Sequence, residues 1–356
     1  MDDTTFVREI KKQPDALRVA VDFYGTAKGR SLLADAAGVL SSKRKLVFTG
    51  MGTSLYAPYL IVNELSGIEP FCDIRDAGEL LHFDLRSFRE NDALIAISQS
   101  GESAETKQVV QKLRGKVTVV SIVNNISSYM GENSDFVLPL IAGNEASIST
   151  KTYTNTLAVL LLLSTSLHGQ EPDTVLDGLD HTAQIMEENL EAIHTLSRQA
   201  VQFFGNLSNL HVVARGSDLV TARQCVLILK EGSGIFTEAL SAGLFRHGPI
   251  ELAGEGHSAL FIVSDNNKPE LTLNLAGEIA HMGSRVFVVS DGTSVVDSSD
   301  TSFLHTSLPF GNETIPSRLF PILCAPFIGF FVHETGKLKG KEAGIFRHAT
   351  KITAKE

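Results

Sequence analysis

One segment, residues 92–113 (DALIAISQSGESAETKQVVQKL), passes from an apolar run through a hydroxyl-rich turn into an amphipathic helical pattern. The apolar run at 93–97 has the length and the flanks of a strand buried in a parallel sheet. In the helical part, Val109, Val110 and Leu113 fall on one stripe and the polar residues fall on the other. The segment therefore predicts a strand–turn–helix unit of an α/β fold.

The turn inside this segment is a candidate anion site. Ser98, Gln99, Ser100 and Ser103 supply hydroxyl and amide groups around Gly101, which lets the backbone approach a ligand closely. The free N–H groups and the positive end of the dipole at a helix start both favour a negatively charged group. Similar residues also cap helices that bind nothing, so the turn alone leaves phosphate binding and simple capping open.

Composition narrows the class of protein and of partner. A chain of 356 residues is longer than a single hydrophobic core usually organises, so two domains are expected. A hydrophobic share of 43% is ordinary for a globular protein, and the net charge of −10 argues against nucleic acid or an anionic membrane as partner. A small anionic ligand remains compatible with that charge, because a helix N-terminus acts locally.

The location of the protein is inferred from its cysteines and apolar stretches. Three scattered cysteines show no metal-ligand spacing and suit a reducing compartment, so no metal and no disulfide framework is expected. The N-terminus has no signal-peptide pattern, and the apolar stretches at 156–163 and 319–332 are too short to span a bilayer. We expect a cytoplasmic protein in which both stretches are buried helices.

Strands and helices are predicted to alternate in two successive halves, which implies a parallel, doubly wound sheet in each. A polar linker at 168–182 and a helix at 183–204 separate the halves, and residues 1–45 are helical. A helix is also predicted at 55–65. The predicted strands are 45–49, 71–74, 93–97, 117–123 and 135–140 in the first half, and 210–214, 259–263 and 285–289 in the second.

An internal repeat relates the halves at an offset of about 164 residues. The turn of Gly52, Thr53 and Ser54 before a helix in the first half corresponds to residues 216–218 (GSD) in the second. Where the first half has its serine-rich turn, the second has residues 264–267 (SDNN), whose carboxylate would repel an anion. The first half is therefore predicted to bind the ligand and the second to act as a scaffold.

Several motifs together resemble the isomerase part of glucosamine-6-phosphate synthase, which is a pair of sugar-isomerase (SIS) domains. The resemblance covers nearly the whole chain. The motifs that carry it are GMGTS (50–54), SQSGES (98–103), EASISTK (145–151), KEGSGIFTEALSAGLFRHGPIEL (230–252) and the tail HATKITAKE (348–356).

The resemblance implies two flavodoxin-like αβα sandwiches and a C-terminal tail over the active site. The expected organisation is an N-terminal helical segment (1–30), a first SIS domain that binds the phosphosugar (31–170), a linker and helix (171–205), a second SIS domain (206–335) and the tail (336–356).

The resemblance also assigns roles to individual residues. Glu231 would carry a proton between C1 and C2 of a sugar 6-phosphate, and His247, supplied by the neighbouring subunit of a homodimer, would assist ring opening. Lys351 would form a Schiff base with the open-chain ketose, and no cofactor is implied. The residues expected to hold the phosphate and sugar are Gly52, Thr53, Ser54, Ser98, Gln99, Ser100, Ser103 and Ser149.

A carboxylate, an imidazole and an amine suit a reaction that needs an open chain, one base and an electrophile on the carbonyl. One departure concerns Ile228, which stands where the synthase has a second lysine, and no glutaminase segment precedes the motifs. We therefore expect an enzyme that acts on an amino sugar 6-phosphate or a fructosamine 6-phosphate, as deaminase, deglycase or isomerase. The alternative is a non-catalytic module that senses a sugar phosphate.

Overall fold

The computed structural model describes residues 3–67, 69–265, 268–292, 302–308, 316–348 and 350–351. Within these residues lie two parallel sheets of five strands each. The strands are β1 (Lys45–Gly50), β2 (Phe71–Asp76), β3 (Asp92–Ser98), β4 (Thr118–Val123) and β5 (Phe136–Pro139) in the first sheet, and β6 (Asn209–Ala214), β7 (Phe236–Ser241), β8 (Ser258–Val263), β9 (Arg285–Ser290) and β10 (Leu304–Ser307) in the second.

Both sheets have the same strand order. The first is ordered β2-β1-β3-β4-β5 and the second β7-β6-β8-β9-β10, with neighbouring strands parallel. This is the flavodoxin-like order, in which the direction of winding reverses beside the first strand. The predicted fold class, two doubly wound parallel sheets, is confirmed, and so is the internal repeat.

Helices connect and cover the strands. Short 3-10 turns occur between some of them. The α-helices are α1 (Thr5–Lys11), α2 (Gln13–Gly25), α3 (Ala27–Ser41), α4 (Thr53–Tyr56), α5 (Ala77–Glu79), α6 (Ala104–Leu113), α7 (Tyr129–Glu132), α8 (Lys151–Leu167), α9 (Asp173–Phe204), α10 (Leu219–Gly232), α11 (Ala242–Arg246), α12 (Pro269–His281), α13 (Phe320–Leu323) and α14 (Ala325–Leu338).

The chain forms two compact units, and each contains one of the sheets. The first unit comprises Gln13–His181 and Phe346–Glu356, and the second comprises Met1–Lys12 and Thr182–Ile345. The boundary between the units therefore falls inside α9, and the C-terminal tail belongs to the unit that holds the first sheet.

The core of the first unit is built on β3, whose seven residues are all buried. On one face of the sheet, Val109, Val110 and Leu113 of α6 form a cluster with Val47 of β1 and Leu94 of β3. Alternate strand residues point to the opposite face. The predicted apolar stripe of α6 is thus confirmed, and α8 is buried along nearly its whole length.

The second unit has a comparable core. Ile279 of α12 clusters with Phe261 and Val263 of β8. Helix α1 packs on α14, where a Cβ added to Gly329 would lie 2.9 Å from Cδ1 of Ile10. The absence of a side chain at this position therefore permits the two helices to approach closely.

Two sequence predictions of helix bounds are wrong. Helix α9 begins at Asp173 and replaces most of the predicted linker at 168–182, because Val175, Leu176 and Leu179 add a buried stripe to its first turns. The helix predicted at 55–65 is α4 followed by a 3-10 turn at Ala57–Leu60. Pro58 has no N–H to donate to the carbonyl of Ser54, so the α-helix cannot continue there.

One stretch of the described chain, Ser317–Leu338, is long and apolar enough to cross a membrane by length and composition. Its most apolar window is 94% buried inside the protein, as in the core helix of a folded domain. The expectation of a buried helix at 319–332 agrees with this burial.

Candidate active site

The two hydroxyl-rich turns of the first unit lie side by side. Strands β1 and β3 pair in parallel, so their carboxyl ends meet at the point where the winding reverses, which is where α/β sheets bind ligands. A Cβ added to Gly50 would lie 2.8 Å from Cβ of Ser54 and 2.9 Å from the carbonyl oxygen of Ile97. Glycine at this position allows the turn that carries Gly52, Thr53 and Ser54 to lie against the end of β3.

The serine-rich turn after β3 is held by its own side chains. The hydroxyl of Ser98 accepts a hydrogen bond from the backbone N–H of Gly101 at 3.0 Å, and that of Ser100 accepts one from Glu102 at 3.1 Å. Ser98 and Ser100 are buried. Ser103 directly precedes α6, and its hydroxyl is 3.4 Å from that of Ser98. The hydroxyls therefore converge at a helix N-terminus.

The carboxylate of this turn is directed to donors of its own. Glu102 accepts a hydrogen bond from Lys107 at 2.8 Å and one from the backbone N–H of Tyr129. The hydrogen bond with Lys107, and after it the one with Tyr129, holds the pKa of Glu102 below its usual range. The charge of the turn is thereby balanced by Lys107, which leaves the helix dipole of α6 available to an anion.

The segment that precedes α8 is arranged around Glu145, which is buried. Its carboxylate accepts hydrogen bonds from the backbone N–H groups of Thr150 and Thr152, at 2.9 and 3.1 Å, and from both threonine hydroxyls. The hydroxyl of Ser149 lies 3.0 Å from that of Thr152. Ser149 is thus placed by a segment whose fold depends on a buried carboxylate.

The tail brings Lys351 to the same segment. Its amine donates to the carboxylate of Glu145 at 2.9 Å and to the carbonyl oxygen of Ser147. The amine-bearing residue, both hydroxyl-rich turns and Ser149 therefore belong to one compact unit.

The other two candidate catalytic residues belong to the second unit. Glu231 lies in the last turn of α10 and is exposed, and His247 follows α11 and is exposed. Ile228, one turn before Glu231, is buried. The structure thus places a carboxylate and an imidazole on the surface of the second unit.

The second sheet has a corresponding turn that is closed by a carboxylate. Asp218, in the GSD turn after β6, is fully buried and accepts hydrogen bonds from the backbone N–H and the hydroxyl of Ser264 at 2.8 to 2.9 Å. It occupies the repeat position of Ser54 and engages the donors at the end of β8.

The sequence analysis expects the carboxylate in 264–267 to repel an anion, and this stays a prediction. In that stretch the N–H of Asp265 donates to Asp291, and Asn266 and Asn267 lie outside the described residues. The structure adds Asp218 as a second carboxylate at this end of the second sheet.

Sequence reasoning missed two residues of the site and its counterpart. Glu145 begins the EASISTK motif, and its signal in the sequence is a lone carboxylate in a small polar segment before an apolar helix. The signal for Asp218 is its replacement of a serine in the repeat.

Among the described residues, no group of three or more His, Cys, Asp or Glu side chains is arranged to hold a metal ion.

Comparison with known proteins agrees with this architecture. Residues 39–166 match the family model of the SIS domain. The chain is 27% identical over 85% of its length to glutamine–fructose-6-phosphate aminotransferase of Sulfurisphaera tokodaii, and 29% identical over 94% to that of Pyrococcus horikoshii. It covers 50% and 55% of those proteins, so it spans about half the length of the curated relatives it matches.

Solved structures extend the likeness over both units. The C-terminal domain of glucosamine–fructose-6-phosphate aminotransferase from Francisella tularensis matches with a TM-score of 0.85 at 19% identity, covering 97% of this chain and 99% of that one. Tagatose-6-phosphate ketose/aldose isomerase from Escherichia coli matches at 0.81, with 19% identity and coverage of 97% and 96%. Glucosamine-6-phosphate deaminase from Thermotoga maritima matches at 0.76, with 16% identity and coverage of 98% and 99%.

The first sheet thus lies in a segment that matches the SIS domain, the second sheet repeats its strand order, and the chain resembles the isomerase part of glutamine–fructose-6-phosphate aminotransferase.

Proposed function

We propose that this protein is an enzyme of the aldose–ketose isomerase type that acts on an amino sugar 6-phosphate or a fructosamine 6-phosphate. The observation that carries the proposal is the pair of hydroxyl-rich turns at the carboxyl ends of β1 and β3. They combine serine hydroxyls with the N-terminus of α6, which is the chemistry that holds a phosphate group.

In the proposed reaction, the turns bind the phosphate and leave the other end of the sugar free to react. His247 assists the opening of the sugar ring. Glu231 takes a proton from one of C1 and C2 and returns it to the other, which turns the amine-bearing carbon into an imine. The amine of Lys351 attacks that carbon, a C–N double bond to the lysine forms, and the substrate's amine leaves as ammonia or an amino acid. Water then cleaves this Schiff base and frees the sugar phosphate and Lys351.

The direction that we favour is release of the amine, as in a deaminase or a deglycase. Its support is Ile228, which is 2% exposed and places an apolar side chain in α10 three residues before Glu231. The helix therefore presents the carboxylate without a lysine at that position to handle an incoming amine. Among the relatives by fold, one is named a glucosamine-6-phosphate deaminase and another a ketose/aldose isomerase.

The experiment that tests the proposal begins with thermal shifts of the purified chain in a panel of sugar 6-phosphates. Glucosamine 6-phosphate and fructosamine 6-phosphates that raise the midpoint are then assayed for release of ammonia or an amino acid. The variant Ser100→Ala should lose most of the shift. Ser217→Ala, in the turn after β6 of the second sheet, should keep the shift and serves as the control.

Two outcomes would redirect the proposal. If no sugar phosphate raises the midpoint, or if Ser217→Ala loses the shift as fully as Ser100→Ala does, the site is not the phosphate pocket proposed. If phosphosugars bind to the turn of the first sheet and none is turned over, the protein is a sensing module.

A further inference from the structure

Glu145 is a buried charge that the proposed reaction leaves without a role. Its side chain is fully inaccessible to solvent, whereas 24% of the Lys351 side chain is exposed. A carboxylate at such depth is costly unless hydrogen bonds and an opposite charge compensate it. Two threonines supply four hydrogen bonds, and Lys351 supplies the opposite charge.

The electrostatics of the pair favour the charged form of Glu145. Burial raises the pKa of this carboxyl, but the charge of Lys351 and the hydrogen bonds from Thr152, Lys351 and Thr150 outweigh burial and lower the pKa below its ordinary value. Lys151, the adjacent cation at the start of α8, directs its amine to the carbonyl oxygen of Asn144. The tail lysine is thus the cation that contacts the Glu145 carboxylate.

We propose that Glu145 is the positioning residue of the tail: its carboxylate seats the amine of Lys351 against the polar segment before α8. The proposal deepens the proposed function, because the amine that it seats is the one assigned to the Schiff base. A carboxylate anchor also explains why Lys351, 206 positions from Glu145 in the sequence, contacts the segment before α8.

Seating also sets the order of events at the amine. In the structure the amine donates hydrogen bonds to Glu145 and to the Ser147 carbonyl, so it has to give up a proton before it can attack the imine carbon of the substrate. That proton passes to solvent, to which 24% of the Lys351 side chain is exposed. The nitrogen then forms the new bond to carbon, and its two remaining protons leave with the substrate's amine as ammonia or an amino acid.

The test measures amide hydrogen exchange of the tail peptide in the full chain without substrate. Replacing either partner, with Glu145→Gln or Lys351→Met, should raise the amide exchange rate of this peptide about tenfold or more. The reason is that the variant loses a hydrogen bond to a charged group that holds the tail against the protein. The double variant should exchange no faster than either single variant. Glu132→Gln, which alters an exposed carboxylate of the same unit, should leave exchange unchanged.

Two results would contradict the proposed contact. One is a tail exchange rate in folded Glu145→Gln equal to that of the wild type, and the other is an additive increase of this rate in the double variant. If Glu145→Gln does not fold, Lys351→Met decides the same question, because it leaves the threonine contacts of Glu145 in place.

Borohydride trapping with phosphosugar separates the anchor from the proposed function. Trapping on Lys351 should occur in the wild type and slow in Glu145→Gln when both are saturated with phosphosugar. If the wild type gives no adduct on Lys351 but the tail exchanges faster in the variants, the proposed reaction is wrong and the contact between Glu145 and Lys351 is still supported.

Discussion

Gly101 fixes the path of the serine-rich turn. Its φ of +69° lies in the left-handed region, and a Cβ at this position would come within 1.8 Å of the hydroxyl oxygen of Ser128. Ser128 in turn caps α7 by accepting a hydrogen bond from the N–H of Gly131 at 3.2 Å. The turn and the start of α7 are therefore in direct contact at a residue that has no side chain.

Gly101→Ala should destabilise the protein and weaken phosphosugar binding. The left-handed backbone costs alanine about 1–2 kcal/mol, and relieving the clash with Ser128 adds roughly 1–3 kcal/mol. Gly115→Ala is the matched control, because Gly115 has a similar φ of +74° with nothing within 4 Å of the added Cβ. Denaturant unfolding of the two variants should differ by the cost of the clash, and equal losses would contradict this explanation.

Glu231 is the residue on which the proposed chemistry depends most. Glu231→Gln keeps the shape of the side chain but removes the base, so turnover should fall about a hundredfold or more while phosphosugar binding is retained. Glu270→Gln, in the first turn of α12 of the same unit, should leave turnover unchanged and is the control. Turnover by Glu231→Gln equal to that of the wild type would show that another group moves the proton.

At the scale of single residues, contacts within one short segment could be predicted from the sequence, whereas contacts between residues far apart in the sequence could not. The hydroxyls of residues 98–103 are adjacent in sequence, so their convergence could be inferred from the turn alone. The pairs Glu145–Lys351 and Asp218–Ser264 join residues 206 and 46 positions apart. Such pairs depend on how strands are ordered in the sheet, which a single sequence does not specify.

Among the elements, central strands were predicted better than edge strands. The central parts of β1, β3 and β8 are apolar because helices cover both faces of the sheet. Strands β7 and β10 were missed. They lie at the edges of the second sheet, and β7 alternates buried and exposed residues, with Phe236 76% exposed. An edge strand of this kind lacks the continuous apolar run used to identify the others.

A hydrogen-bonded pair of histidines lies at the amino ends of the strands of the second sheet, opposite the carboxyl ends. Nδ1 of His211 in β6 is 3.0 Å from Nε2 of His257, just before β8, and Nδ1 of His257 is 2.9 Å from the hydroxyl of Ser284, just before β9. Burial lowers the pKa of both rings, and the neighbouring His211 helps to lower that of His257 to about 4. On the outer side, Glu238 is 3.6 Å from His211 and opposes the shift of that ring.

This pair should make the second unit less stable in acid. Between pH 6.5 and 4 the unfolded chain binds a proton at His257 that the folded state does not, so the free energy of unfolding falls as the pH is lowered, by roughly 2–3 kcal/mol. Replacing the ring, with His257→Gln, should flatten that part of the dependence. His281→Gln, at an exposed position of the same unit, should not, and an unaltered slope in His257→Gln would contradict the assignment.

On the scale of the whole molecule, each end of the chain belongs to the unit that lies farther from it in the sequence. The first helix packs with α14 in the second unit, and the tail returns to the first unit. Composition alone supports neither assignment, because each depends on contacts between residues that are far apart in the sequence. The net charge of −10 leaves the expectation of no nucleic-acid partner in place.

The last prediction concerns assembly. We expect a homodimer in which His247 of one subunit serves the Glu231 and Lys351 of the other, which fits the exposure of His247 after α11. Glu231→Gln and His247→Ala subunits would each be impaired alone. If equal amounts are mixed after reversible dissociation, about half of the dimers contain one subunit of each variant, and each mixed dimer has one site with both native residues. Up to about a quarter of the activity of the same amount of wild-type protein should therefore return.

Light scattering should show a dimer for both variants and for the mixture. Mixing Glu231→Gln with Lys351→Met is the control: these residues would serve the same site from one subunit, so both sites of a mixed dimer stay defective and no activity should return. Native mass spectrometry checks that mixed dimers have formed, and an absence of recovery in the Glu231–His247 mixture despite such dimers would contradict the shared site. That result would place His247 in the same subunit's site or outside the chemistry, and would remove the shared site from the proposal.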